Sequence, residues 1–434
     1  MKYLQLIKKY VTANALFFKR ENSLYILSNI LIAFIGVLRS VYFMKQLDFK
    51  ALGFLLIFQT TLVFVSYFQL GLLNGGFRIY CEGDLRKNET INNTINTYLL
   101  MLIGLASLWL LGNLAIYGLQ RDPLFIWFSL ITGIAMISKN WMSNIYIAQG
   151  KLAALNRLTV TTQLLSLAAM FSTHLIGFWG ALLSLAIPNL LFPLYAFWKD
   201  AAFRLTKLEF KISVIRHIWI YGLIPFIVGI AAQFYVQIER WSIVSFLGLE
   251  SLGKLYLPFF IAGIIVLVPS SVLQIFFPKA IKAYAQDKNA FAAVVRNHLL
   301  ILLTYLSIAV LGIWLLLEPV TAWIFPQHLV GIPFCYLILP GVIAIQLCDN
   351  LSLIFNTVVK MWPMFWAHLS SLALLFVCVL LGVSNHLFSL TFICIVKSLT
   401  GIYLLGFQWF AYLYLKRKNR LLFTQSVAIY TETE

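Results

Sequence analysis

Six ionisable residues stand inside otherwise apolar stretches of this chain: Arg39, Lys139, Glu239, Arg240, Asp349 and Lys397. A charge at the centre of a bilayer costs about 2.5–3.5 kcal/mol on insertion scales, so such residues face protein or water and mark ion or substrate pathways. Four are bases and two are acids. Purely structural pairs would balance, whereas a surplus of positive charge in a low-dielectric setting calls for water or an anionic ligand. The chemistry this offers is anion binding, with arginine gripping a phosphate through parallel N–H donors and lysine acting as a point charge. Glu239 and Arg240 are adjacent and point apart around a helix, so they pair poorly with each other; Arg39 is one alternative partner for Glu239. Glu239 and Asp349 serve either as salt-bridge partners or as carriers of a proton or sodium ion.

Polar residues recur beside these charges at helical spacing, and residues three and four apart share a helix face. Asn29 lies on the face that leads to Arg39, and Gln59 shares the second span with Ser66 and Gln69. Gln233 and Gln237 lead to Arg240, and Asn350 adjoins Asp349. Asn29, Gln59, Gln233, Gln237 and Asn350 are candidates to line a polar cavity, with Arg39, Lys139, Arg240 and Lys397 as its cationic, substrate-binding part. The competing role for the uncharged residues is hydrogen bonding between helices. Tyr235, Trp241 and Trp141 lie near the charged sites, either as stacking surfaces for sugars or as lipid-facing and interfacial aromatics.

The elements that must position these residues are membrane helices. The chain is 61% hydrophobic and 11% charged, with mean hydropathy +0.89, against about 25% charged residues in soluble domains. A spanning helix needs about 20 apolar residues, and twelve candidates are found: 24–44, 52–73, 96–118, 124–147, 158–178, 179–198, 218–246, 255–277, 298–317, 334–359, 364–382 and 388–415. Gly177 and Gly180 offer the turn between the fifth and sixth. With a cytoplasmic N-terminus, twenty-four of the 32 Lys and Arg residues fall in inside segments, four in outside loops and four within spans. That asymmetry is the positive-inside pattern. It places both termini in the cytoplasm, and it makes the net charge of +17 a basic face against anionic lipid and no sign of a nucleic-acid partner. Residues 1–20 have apolar positions at Leu4, Ile7, Val11, Ala15 and Phe18, the period of an interfacial amphipathic helix.

All loops are short. No phosphate-binding G-x-x-x-x-G-K-[ST] loop, H-E-x-x-H or G-x-S-x-G motif occurs, so no nucleotide motor, zinc protease or serine hydrolase site is encoded. The five cysteines show no C-x-x-C spacing and read as small core residues without metal or disulfide roles. The six histidines are scattered. The expectation is an all-α polytopic transporter, without cofactor or metal, rather than an enzyme.

An offset of 200 residues sets LDFKALGFL (47–55) on LGLESLGKL (247–255), with four identities in nine. Both segments join the first and second spans of a six-helix half. Two six-helix lobes of like topology follow, 1–198 and 199–434, pseudo-symmetric about an axis along the membrane normal and enclosing a central cavity. FQLGLLNGGFRIY (68–80), QIERWSIVSFLGLESLGKLYLPF (237–259) and IFFPKAIKAY (275–284) resemble the multidrug/oligosaccharidyl-lipid/polysaccharide (MOP) exporter superfamily, and within it the Wzx-like polysaccharide-unit flippases. Gln69 stands where that family has an acidic residue.

The resemblance implies a flippase of the cell inner membrane. Its cargo would be undecaprenyl-diphosphate-linked oligosaccharide units, carried from the cytoplasmic to the periplasmic leaflet by alternating access for O-antigen or other surface polysaccharide. The implied partners are the lipid-linked oligosaccharide, membrane lipids, a proton or sodium ion, and polysaccharide polymerase and chain-length proteins. Two alternatives stand beside it. A drug or metabolite cation antiporter of the same superfamily would want acids to dominate the cavity. An integral-membrane polymerase or ligase would want a long outside loop bearing catalytic residues.

Overall fold

The computed structural model describes residues 20–80, 85–118, 121–200, 203, 206–358 and 360–418. Among these every regular element is helical, and twelve long helices lie at the twelve expected spans. They are α1 (Arg20–Gln46), α2 (Phe49–Ser66), α3 (Leu85–Tyr117), α4 (Arg121–Ala148), α5 (Leu152–Ala169), α6 (Phe178–Lys199), α7 (Ile212–Leu247), α8 (Tyr256–Gln286), α9 (Lys288–Ile324), α10 (Ile332–Thr357), α11 (Trp362–Ser384) and α12 (Leu390–Arg417). The amphipathic segment expected over residues 1–20, but for Arg20, and the basic tail beyond 418 lie outside the described residues, as does Cys81.

Ten of the helices are long and apolar enough to cross a membrane. The other two, α1 and α5, are the more polar, and they pack against each other, each hiding polar groups from lipid against the other. Outward faces are apolar: Trp314, Trp323, Leu175 and Ile308 are 69%, 84%, 86% and 66% exposed, a surface suited to lipid and not to water. Helix ends are closed by local chemistry. Asp48 accepts from the Ala51 amide at 2.7 Å, Asp287 from the Asn289 and Ala290 amides, and Ser389 from the Phe392 amide at 3.2 Å, each satisfying orphan donors of a first turn.

The chain divides into two compact units between Ile227 and Val228, a point inside α7, where the sequence reading set its lobe boundary at 198/199. The reason is backbone contact. The first half of α7 packs on the short helix Leu72–Tyr80, where a Cβ on Gly222 would fall 2.2 Å from the Gly71 carbonyl oxygen and one on Gly75 would fall 2.1 Å from that of Ile218. Gly71, at φ +79°, makes the turn that delivers the helix. Trp219 adds a bond from its Nε1 to the Leu70 carbonyl at 2.8 Å.

In the first unit α5 and α6 are joined through Gly177, at φ +56°, as the sequence suggested. Gly180 has a different role: it lies within α6, against the backbone of Ser172 and Thr173. In the second unit α10 and α12 meet at Gly341, Ser398 and Gly401. The Ser398 hydroxyl donates to the Leu337 carbonyl at 2.5 Å and accepts from the Gly341 amide at 3.2 Å. Small residues at such crossings let backbones approach without a hydrophobic driving force.

Candidate functional site

Two polar clusters lie at membrane depth, one in each unit. In the first unit, Ser166 of α5 and Ser184 of α6 bond reciprocally. Each hydroxyl donates to the other residue's carbonyl, at 2.6 and 2.8 Å. This double bond fixes the α5–α6 crossing and aims the Ser166 oxygen at α1. Arg39 Nη1 donates to Ser166 Oγ at 2.6 Å and lies 3.5 Å from the Ser184 carbonyl. Lys139 of α4 donates from Nζ to Asn189 Oδ1, further along α6, at 3.3 Å. Arg39 and Lys139 are near enough to act on each other electrostatically, and both are half-buried.

These two cations therefore share a site in which a hydroxyl, a carbonyl and an amide oxygen, all neutral, face them. No Asp or Glu occurs in any expected span of the first 198 residues, and no carboxylate pairs with Lys139 among the described residues. Two like charges held close together make a positive local potential, which a bound anion would relieve. Ser166, Ser184 and Asn189 were missed in the sequence. Asn189 had a signal: it is the only amide side chain within the apolar run 178–198.

The second unit is arranged otherwise. Lys397 of α12 donates to Glu239 Oε2 and to the Tyr235 carbonyl, both at 2.6 Å, and its Nζ lies 3.5 Å from the Val236 carbonyl. Glu239 and Lys397 are only 4% and 5% exposed. The ammonium also sits 4.2 Å from the Tyr235 ring centroid. A lysine has three donors, and this geometry engages all of them. Lys397 is thus enclosed in an ion pair. Sequence reasoning offered Arg39 as a partner for Glu239; the structure gives it Lys397, within its own unit.

The remaining candidates are spread out. Arg240 stacks on Phe259 at 4.7 Å, a cation–π contact. Asn350 is buried, its Oδ1 2.9 Å from His298 Nδ1, so it braces α10 to α9. Gln237 is buried, while Gln59, Gln233 and Asp349 are half-buried. Asn29 lies on α1, with its side chain outside the described residues. Among the aromatics, Trp141 and Tyr235 are fully buried; Trp141 donates to Asn92 Oδ1 at 3.0 Å, and neither presents a face for stacking. Trp241 is 40% exposed.

No family model matches this sequence, and no curated protein does. Solved structures do. A lipid II flippase, MurJ, in an inward closed conformation, aligns with TM-score 0.69 at 13% identity over 90% of this chain and 87% of its own. An inward-facing multidrug resistance transporter of the MATE family, from the MOP superfamily, aligns with TM-score 0.69 at 12% identity, covering 91% and 98%. The chain has the MOP transporter fold. A third MOP superfamily transporter, from Pyrococcus furiosus, aligns with TM-score 0.61 at 12% identity over 93% and 96%, and is described by the reversed polarity of its binding pocket. The likeness is one of fold, and ten helices long and apolar enough to cross a membrane fit a multi-pass membrane protein.

Proposed function

We propose that this protein is a flippase for polyprenyl-diphosphate-linked oligosaccharide units, moving them from the cytoplasmic to the periplasmic leaflet of a bacterial inner membrane by alternating access, in surface polysaccharide assembly. The observation that carries the reading is the meeting of two cations, Arg39 and Lys139, held by Ser166 and Asn189. A lipid-linked sugar presents a diphosphate that cannot enter hydrocarbon unaided, and two adjoining cations, one able to bind bidentately, suit such a group. A solved lipid II flippase sharing the fold is in keeping with that cargo.

The cation-antiporter reading is weaker on one specific ground. Of the two intramembrane acids, Glu239 is neutralised by Lys397, which leaves Asp349 as the sole acid to carry a proton or sodium ion in support of transport. The polymerase reading wants an extended outside loop. Residues 318–333, the longest stretch between expected spans on the outside, are filled by the end of α9, a tight turn over Pro326–Gly331 and the start of α10.

The test is the leaflet in which lipid-linked units reside after deletion of the gene. Accumulation on the cytoplasmic side, reversed by the wild-type gene and poorly by Arg39→Ala or Lys139→Ala, supports the reading. Accumulation on the outer leaflet refutes it in favour of a polymerase.

A further inference from the structure

A groove of about 840 Å³ opens in the first unit between the end of α4, α5 and the end of α6, and neither Arg39 nor Lys139 is among its lining residues. Because α5 and α6 run antiparallel through a short turn, Lys151 before α5 and Lys199 at the close of α6 stand at the same membrane face, the face that positive-inside counting makes cytoplasmic. The rim of the groove is polar and its walls are apolar. Lys151 pairs with Asp200 at 3.3 Å, closing one end. Lys199 donates to the Tyr195 hydroxyl at 3.0 Å and lies 5.3 Å from its ring centroid, so its ammonium is held in place. Arg157 has no hydrogen bond or ion-pair partner among the described residues and is exposed. Three bases and one acid leave a surplus of two positive charges. Below them Leu165, Leu191 and Leu194 are 46%, 36% and 65% exposed along the groove.

We propose that this groove binds a phospholipid carrying two phosphates, of the diphosphatidylglycerol class, drawn from the surrounding inner leaflet. Basic pockets between helices on this side are suited to such headgroups. The charges match, since two phosphodiesters neutralise the surplus of two. The placement also fits. The two bases left over, Arg157 on α5 and Lys199 at the close of α6, come from different helices lining the groove, so each can meet one phosphate of a glycerol-bridged pair. The leucine walls would be idle against a soluble phosphate but fit acyl chains, and the volume takes more than a single chain. The proposal is independent of the transported cargo.

The full-length chain, purified in phosphatidylcholine nanodiscs, is titrated with diphosphatidylglycerol, phosphatidylglycerol and polyprenyl diphosphate, and bound lipid is counted by native mass spectrometry. Near a membrane surface each Lys or Arg contributes about 1 kcal/mol to holding anionic lipid, about fivefold in affinity. The wild type should retain diphosphatidylglycerol in preference to phosphatidylglycerol, and R157Q/K199Q should lose about 25-fold in affinity while keeping its elution profile and lipid-free melting temperature. Both residues are exposed, so the folded state should tolerate them; if the double variant melts early, R157Q alone, losing about fivefold, serves the same comparison. Equal retention by variant and wild type overturns the proposal. So does displacement of diphosphatidylglycerol by polyprenyl diphosphate at equal concentration, which would make the groove a substrate entrance.

Discussion

Removing one partner of the Lys397–Glu239 pair should harm the protein far more than removing both. The two side chains are each 6% exposed and 2.6 Å apart. Lys397→Met leaves a buried carboxylate without its ammonium and removes the side-chain donor to the Tyr235 carbonyl. Breaking a buried pair in this way costs about 3–5 kcal/mol, whereas replacing both partners by apolar groups of like volume is often neutral or better. For a unit of this size that loss corresponds to a melting temperature lower by about 6–20 °C. Glu239→Gln should fall similarly, because the ammonium is then uncompensated. Glu239→Leu/Lys397→Met should return to within about 1–2 kcal/mol of the wild type, giving a favourable coupling energy in the double-mutant cycle. The assay is thermal unfolding in detergent followed by intrinsic tryptophan fluorescence. Additive losses, or a silent Lys397→Met, would refute the reasoning and return Lys397 to the set of cations open to a ligand.

Three further outcomes follow from the first unit. Asn189→Asp places a carboxylate 3.3 Å or so from Lys139 Nζ; it should keep or raise stability yet depress transport, measured as leaflet distribution of the lipid-linked unit, because the site loses half its positive charge. Ser166→Ala removes the acceptor for Arg39 and one half of the reciprocal serine bond, and should cost about 1–3 kcal/mol together with reduced transport, read by melting and flipping assays on one preparation. Gly222→Ala drives a methyl group against the Gly71 carbonyl and the Gly75 amide, an overpacking worth at least about 1–3 kcal/mol; Gly36→Ala, with nothing within 4 Å, should melt like the wild type.

The spans, their order and the existence of charges at depth were legible in the sequence because each is local: a run of about twenty apolar residues is its own signal. What those charges do was less so. Glu239 and Lys397 are 158 residues apart in sequence, and a single chain offers no register between helices that would reveal which base meets which acid. The adjacency of Glu239 to Arg240 and the repeat that set Arg39 opposite Glu239 both pointed elsewhere. Ser166 and Ser184 were invisible for a related reason. Serines are common in membrane helices, and only the close crossing of α5 and α6 makes this pair a support for Arg39. The division inside α7 rests on glycine contacts at 71, 75 and 222, where what matters is the absence of a side chain, and absence carries no periodic signal. Trp141 and Tyr235 offer no open face: both are wholly buried, and proximity in sequence says nothing of which way a ring turns.

The most direct measurement uses purified protein in liposomes with a polyprenyl-diphosphate oligosaccharide in one leaflet, scoring its appearance in the other by lectin or enzymatic accessibility. The account predicts flipping by the wild type and loss of flipping in Arg39→Gln/Lys139→Gln, with the fold retained because both substitutions keep hydrogen-bonding amides beside Ser166 and Asn189. Undiminished flipping by that double variant would contradict it.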